Sequence, residues 1–277
     1  MVQHAQYERL AFIEMLALWQ GYVRNSDVVR QFGLSRQQVY KDIGTYQALH
    51  PDILHKFRDG SYQRDPASSL HYYDGSLDIF LHWLLTESFY ISNHLQTNQA
   101  YSLALPARSA SPQIIAILTQ AIREQLSVEV GYVSLSNPET DGRIFSPHTF
   151  VKAGGRWHVR GYCEKSQDYR DLVLSRFRGE AVIEGTSAHT SMKDAAWNTF
   201  ITIILAPDQR LTPAQQEVLI NDYQMTNGKL ELTVRAALAD YLLKQMQVNT
   251  KYLDGKPEAQ QLVLVNRDDI KQWLFNS

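Results

Sequence analysis

The chain has 277 residues, 44% of them hydrophobic and 20% charged, with a formal net charge of -2 and a single cysteine, Cys163. This mixture excludes a disordered or fibrous protein, and one cysteine excludes a disulfide framework or a multi-cysteine zinc site; the length suits two or three cores. A near-neutral total gives no basic coat, so any contact with nucleic acid has to come from local clusters of Lys and Arg.

In chain order, the apolar stretch from Tyr7 to Tyr22 predicts a buried first helix that stops near Gly21. Asn25 or Ser26 is placed to cap a second helix through Phe32, Gly33 supplies a tight turn, and Ser35 caps a third helix running toward Leu49. Pro51 forces an exit, and ILHKFRDGSYQRD reads as two short strands around Asp59-Gly60, a pair that favours a two-residue hairpin. Helix, helix, turn, helix, hairpin is the order of a winged helix-turn-helix. The stretch from Pro66 to Ser111 reads as a connector with one apolar helix, Leu77 to Tyr90, and polar residues around Asn93 to Gln99; spacing or dimer contact is its expected role.

Pro112 to Leu126 has a helical period and leads into an alternating run, Val128 to Ser136. Further strands are predicted at Arg143 to Val151, Arg156 to Cys163, Arg170 to Arg178 and Ala181 to Gly185, a spacing that suggests a small barrel. The remainder alternates strand and helix: Ile201 to Leu205, Thr212 to Tyr223, Lys229 to Val234, Ala237 to Met246, Gln261 to Val265 and Asp268 to Leu274. The expected fold class is α+β multidomain, with a winged helix over 1–66, a helical connector over 67–125, a barrel domain over 126–190 and a C-terminal α+β domain over 191–277.

Two constellations carry chemistry. In the third helix Val39, Ile43 and Tyr46 recur at core spacing and turn Arg36, Gln37, Tyr40, Lys41 and Thr45 outward, beside Ser35 and Gln38. Arg holds guanine and Gln holds adenine bidentately, while Lys, Tyr and Thr grip phosphate. The hairpin adds Lys56, Arg58, Tyr62 and Arg64 as a wing. The alternative is a helical interaction module with a solvated polar face. The second constellation is RWHVRGYC, in which alternation puts Arg156, His158, Arg160 and Tyr162 opposite Trp157, Val159, Gly161 and Cys163. From Arg143 to Arg178 the basic residues are Arg143, Lys152, Arg156, Arg160, Lys165, Arg170, Arg176 and Arg178, against Glu164, Asp168 and Asp171, with no acidic partner evident beside the stripe. With Tyr132, Ser134 and Ser136 on one strand face, and His148 and Arg176 from other strands, the stripe suits an anionic effector such as a nucleotide or nucleic-acid fragment. An edge strand whose charges meet solvent is the alternative.

No HExxH, GxSxG, GxxxxGK or GxGxxG motif occurs, so no catalytic residue, cofactor or metal site is expected. His148 and His158 read as hydrogen-bonding residues rather than an acid–base pair. No run approaches the ~18 apolar residues of a membrane span, and MVQHAQYERL lacks the order of a signal peptide, so a cytoplasmic protein is expected.

The segments SPHTFVKAGGRWHVRGYC and DLVLSRF resemble the WYL-domain transcriptional regulators of bacteria and phage, nearest the subgroup with winged-helix, WYL and C-terminal-extension domains that sits beside anti-phage defence systems such as bacteriophage-exclusion islands. The likeness spans nearly the whole chain in domain order. It implies an Sm-like, SH3-type barrel that senses nucleotides or nucleic acid, and a homodimeric repressor of a defence operon bound to palindromic duplex DNA. The positions it carries over are Tyr132, Ser134, His148, Arg156, His158, Arg160 and Arg176. The sequence departs from the eponymous Trp-Tyr-Leu triplet, since Trp157 is followed by His158 and Val159. Two other classes remain open on the residues alone: a nucleic-acid-processing enzyme and a protein-binding adaptor of a defence complex.

Overall fold

A computed structural model describes residues 4–90, 106, 108, 110–139, 141–250, 253 and 255–274. The polar stretch Asn93 to Gln99 lies outside them. The chain divides into two compact units, Met1–Phe150 with Val159–Ala188, and Val151–His158 with His189–Ser277.

The first unit opens with α1 (His4–Trp19), whose Leu10, Phe12, Ile13, Met15 and Leu16 are completely buried. A helix that is apolar on most of its circumference has to sit inside, and α2 (Asn25–Phe32), α3 (Arg36–Leu49) and the hairpin β1 (Leu54–Lys56) and β2 (Tyr62–Arg64) pack around it. The boundary between α2 and α3 is set locally. Gly33 takes φ 64 at the end of α2, where a side chain would strain the left-handed backbone, and Ser35 Oγ accepts the Gln38 N–H at 3.2 Å to cap α3. The cap of α2 is not Asn25 or Ser26: Arg24 is the capping residue, and the Asp27 carboxylate accepts its N–H at 3.1 Å. The hairpin also differs from the two-residue turn expected. Gly60 N donates to Phe57 O and Phe57 N to Ser61 O, so three residues, Arg58, Asp59 and Gly60, form the loop, with Gly60 at φ 81. Val23 exchanges two 2.8 Å backbone bonds with Tyr62 and so joins the wing.

The helix predicted between Leu77 and Tyr90 is α4 (Leu77–Thr86), and it turns Phe80, Leu81 and Trp83 into the same core. The Phe12 ring meets Phe32, Trp83 and Phe89 edge-on at 5.1–5.5 Å, and Trp83 Nε1 donates to Gln31 Oε1 at 2.7 Å.

Helix α5 (Pro112–Glu124) then packs on a five-stranded sheet of β3 (Leu126–Tyr132), β4 (Asp141–Ala153), β5 (Arg156–Cys163), β6 (Asp168–Val173) and β7 (Phe177–Thr186), ordered β6-β5-β4-β3-β7. β3 pairs antiparallel with both β4 and β7. The expected closed barrel is not seen: β6 and β7 are the sheet edges, and no pairing joins them among the described residues. A 3-10 turn at Leu174–Arg176 breaks the run predicted as one strand from Arg170 to Arg178, and β3 ends at Tyr132 rather than Ser136. At Gly161 the strands approach closely; a Cβ there would fall on the Ser146 carbonyl oxygen and within 2.7 Å of Pro147 Cα and Phe145 Cζ. Gly161→Ala is therefore expected to cost about 2–3 kcal/mol, read as a lower urea midpoint at unchanged m-value.

The second unit contains α6 (Ala195–Asn198), β8 (Phe200–Pro207), α7 (Pro213–Asp222), β9 (Leu230–Arg235), α8 (Ala239–Gln245), α9 (Pro257–Gln260), β10 (Leu262–Leu264) and α10 (Arg267–Ile270). The sheet order is β10-β8-β9, both pairs antiparallel. Thr212 and Gln215 cap α7 reciprocally, each side chain accepting the other's backbone N–H. Ile203, Leu205, Leu219, Leu243, Leu262 and Ile270 form the core under this sheet. The strand and helix alternation read from the sequence after Ile201 corresponds to β8, α7, β9, α8, β10 and α10; α9 was not expected, and α10 passes into a 3-10 turn at Lys271–Trp273.

Candidate DNA-binding face and effector face

The core positions of α3 are Val39, Ile43 and Tyr46, all at most 1% exposed. Their spacing leaves Arg36, Gln37, Tyr40 and Lys41 exposed, with Tyr40 at 55%. Thr45 is half-buried and its hydroxyl donates to Lys41 O at 2.8 Å. Three further predicted contacts are turned inward. Gln38 Nε2 donates to Asp42 Oδ1 at 3.2 Å; Tyr62 is 4% exposed and fixed beside Val23; and Arg64 is half-buried with its Nε atom enclosed. The reason is the bridge to Val23, which makes Tyr62 part of the wing's inner layer. Lys56 and Arg58 remain exposed, Lys56 Nζ lying 5.9 Å from the Tyr62 ring centre. Exposed residues of this surface that were not among those expected include Phe57 at 47% in the wing and Gly44 on α3.

Two buried carboxylates, which the sequence reading does not single out, set the angle of α3. Asp42 is completely buried; Arg9 Nε donates to it at 2.6 Å and Gln6 at 3.3 Å, fastening α3 to α1. Glu14, also completely buried, accepts the Tyr46 hydroxyl at 2.8 Å and the backbone N–H groups of His71, Tyr72 and Tyr73 at 2.8–3.1 Å. Burial first, and the Glu14 charge second, push the Tyr46 phenol far above its ordinary range, so that it stays a donor. At the end of α3 the His50 ring stacks on His71 at 3.8 Å and lies 3.2 Å from Tyr72 Oη. Burial, then the neighbouring His71, hold its imidazole below the usual value. The recognition-helix candidate is thus joined through its middle and its C-terminal end to α1 and to the chain entering α4.

The predicted effector residues have different fates. Tyr132 is not a cleft residue: it is 4% exposed, its hydroxyl accepts the Val173 N–H at 3.0 Å, and Phe177 meets it edge-on at 5.3 Å. Ser134 lies beyond the end of β3, where its hydroxyl accepts the Asn137 N–H at 2.9 Å and pairs with Ser136 Oγ. Arg160 is buried and forms an ion pair with Asp171 at 3.1 Å, both side chains 6% exposed, so the stripe does have an acidic partner, on the next strand. Arg143 pairs with Asp141 and lies over the Tyr132 ring; Lys165 pairs with Asp141 and Arg170 with Asp168. Four of the eight cations counted from the sequence therefore pair with acidic side chains within the fold, Arg143 and Lys165 sharing Asp141. His158 is 2% exposed and packs on Tyr241, a core position rather than an open one. His148 is half-buried, with Nδ1 2.9 Å from Thr149 Oγ1 and its ring beside Tyr169, which in turn meets Tyr162. Arg156 and Arg176 are half-buried and carry no ion pair among the described residues.

Comparison with known proteins accounts for this organisation. Family models for the BrxR transcriptional regulator winged helix-turn-helix domain, the WYL domain and the BrxR C-terminal dimerization domain match residues 5–86, 113–182 and 200–270. The chain is 34% identical over 279 residues to the DNA-binding transcriptional repressor CapW of Pseudomonas aeruginosa, covering 97% of this chain and 92% of that protein. It belongs to the CapW and BrxR family of transcriptional regulators. CapW of Escherichia coli (strain KTE188) is also 34% identical, over 96% of this chain and 90% of its own length, and CapW of Stenotrophomonas maltophilia is 29% identical over 99% and 93%. Among solved structures, proteasome accessory factor B/C (PafBC) of Arthrobacter aurescens is 15% identical with a TM-score of 0.27, over 97% of this chain and 47% of that one. The winged-helix match runs through α4, consistent with Trp83 packing on Phe12 and Phe80 packing on Trp83. No described helix is long and apolar enough to cross a membrane.

Proposed function

We propose that this CapW- and BrxR-like regulator binds palindromic duplex DNA as a homodimer and represses an anti-phage defence operon. The observation that carries the reading is α3: a capped helix whose exposed face bears Arg36, Gln37, Tyr40 and Lys41 and whose buried face is fastened by Asp42 and Tyr46. Arg36 and Gln37 lie in the first turn, the part of a recognition helix that meets base edges, while Lys41, Lys56 and Arg58 contact phosphates. Dimerisation through the C-terminal domain doubles these contacts on two half-sites. Arg36→Ala and Lys41→Ala are expected to weaken binding to a selected operator at least ten-fold each in a gel-shift assay, Arg36→Ala with relaxed sequence preference and Lys41→Ala with a salt slope lower by about 0.9 per half-site. Unchanged operator binding in both would remove α3 from the interface.

The second part of the proposal is that an anionic effector, a nucleotide or nucleic-acid fragment, acts through an Sm-like WYL domain. What supports it is the return of β7 beside β3, as in a sheet rolling toward a barrel, together with the half-buried His148 and Arg176 and the aromatic pair Tyr162 and Tyr169. Arg160, His158 and Tyr132 are structural in this reading. An effector shifts operator affinity by no more than its differential affinity for the two states.

A further inference from the structure

Gly44 lies in the interior of α3, on the exposed face that also carries Tyr40 and Lys41, one helical turn before it. Glycine there is unfavourable for the fold, because a mid-helix glycine surrenders more backbone entropy than any other residue and exposes the peptide group. Among the described residues nothing repays that loss. A Cβ built at Gly44 meets no atom within 4 Å, and its backbone is not among the positive-φ residues, so neither packing nor conformation asks for glycine. Gly33, by contrast, has φ 64, and Gly161 faces the Ser146 backbone; each has an internal reason to lack a side chain.

We infer that Gly44 is bare for a partner outside the chain, and that it is where the sugar–phosphate wall of the major groove closes on the backbone of the recognition helix. This rests on the DNA-binding reading of α3 given above. Gly44 lies eight residues after Arg36, about 12 Å along the axis at ~1.5 Å per residue. The major groove is also about 12 Å wide. A helix whose first turn reaches base edges through Arg36 and Gln37 therefore brings position 44 to the groove's edge rather than its floor. There a missing side chain lets strand and helix backbone come into van der Waals contact, and that contact fixes how deeply Arg36 and Gln37 reach. Gly44 is a positioning residue for base recognition, with no hydrogen bond of its own to a base.

The two roles of the residue predict changes of opposite sign. Gly44→Ala raises the melting temperature of the full chain by about 2–4 °C, since the helix gains propensity and nothing clashes. On a duplex selected from a randomised pool with the wild-type protein, the same variant binds roughly ten-fold more weakly, and Gly44→Leu more weakly still. The slope of affinity against salt is unchanged, because no charge is removed. Binding to an unselected duplex changes little. Gly44→Ala that binds the selected duplex as tightly as wild type overturns the inference, and so does a lowered melting temperature, which would assign the glycine to the fold. Arg36→Ala and Lys41→Ala measured on the same duplex separate the two levels. If they weaken binding while Gly44→Ala does not, only this inference fails; if neither has an effect, the reading of α3 itself fails.

Discussion

Glu14→Ala is expected to destabilise the winged domain by about 4 kcal/mol or more and to abolish operator binding. The carboxylate accepts four donors in a site without solvent access: the Tyr46 hydroxyl and the backbone N–H groups of His71, Tyr72 and Tyr73. Each buried donor left without an acceptor costs about 1–3 kcal/mol, and partial relaxation keeps the total below the simple sum. Against the ~5–15 kcal/mol of a typical domain, that is a large fraction of the available stability. Glu14→Gln retains an oxygen of similar reach and is expected to lose about half as much, while Tyr46→Phe removes one donor and one hydrogen bond and is the mildest of the three. Urea denaturation of the full chain measures the series; equal midpoints for wild type and Glu14→Ala would show that the carboxylate is dispensable. Because Tyr46 belongs to α3, the ordering of the series in operator affinity should follow the ordering in stability.

The second large effect is expected at Arg160. Its pairing with Asp171, both side chains nearly solvent-free, means that Arg160→Ala takes the paired cation from a buried carboxylate and costs about 3–5 kcal/mol. Arg160, placed on the effector face by the sequence, thus has a buried ion pair in the fold. The double variant Arg160→Met with Asp171→Leu, which removes both charges at similar volume, should recover most of the loss. A double variant no more stable than Arg160→Ala would mean that the pair's charges, not their mutual neutralisation, support the sheet. Effector-response variants are better placed at Arg176, which is half-buried and forms no ion pair among the described residues.

What the sequence determined by itself is the local grammar. Gly33, Ser35 and the 39-43-46 period specify where α3 starts and which face it buries, because caps, left-handed turns and helical spacing act within a few residues. The strands and helices of the C-terminal unit were legible for the same reason. What only the tertiary structure decided is the partner of each charge and the face of each short strand. Glu14 and Asp42 sit in helices where a charged residue normally reads as solvent-facing; their donors lie 32 residues away or more in the chain, except for Gln38. Asp171 meets Arg160 through strand register, and Tyr62 and Arg64 turn inward because Val23 pairs with the wing. A charge count along the chain sees totals, while the field outside the protein depends on which charges the fold has already neutralised, and that is set by long-range contact.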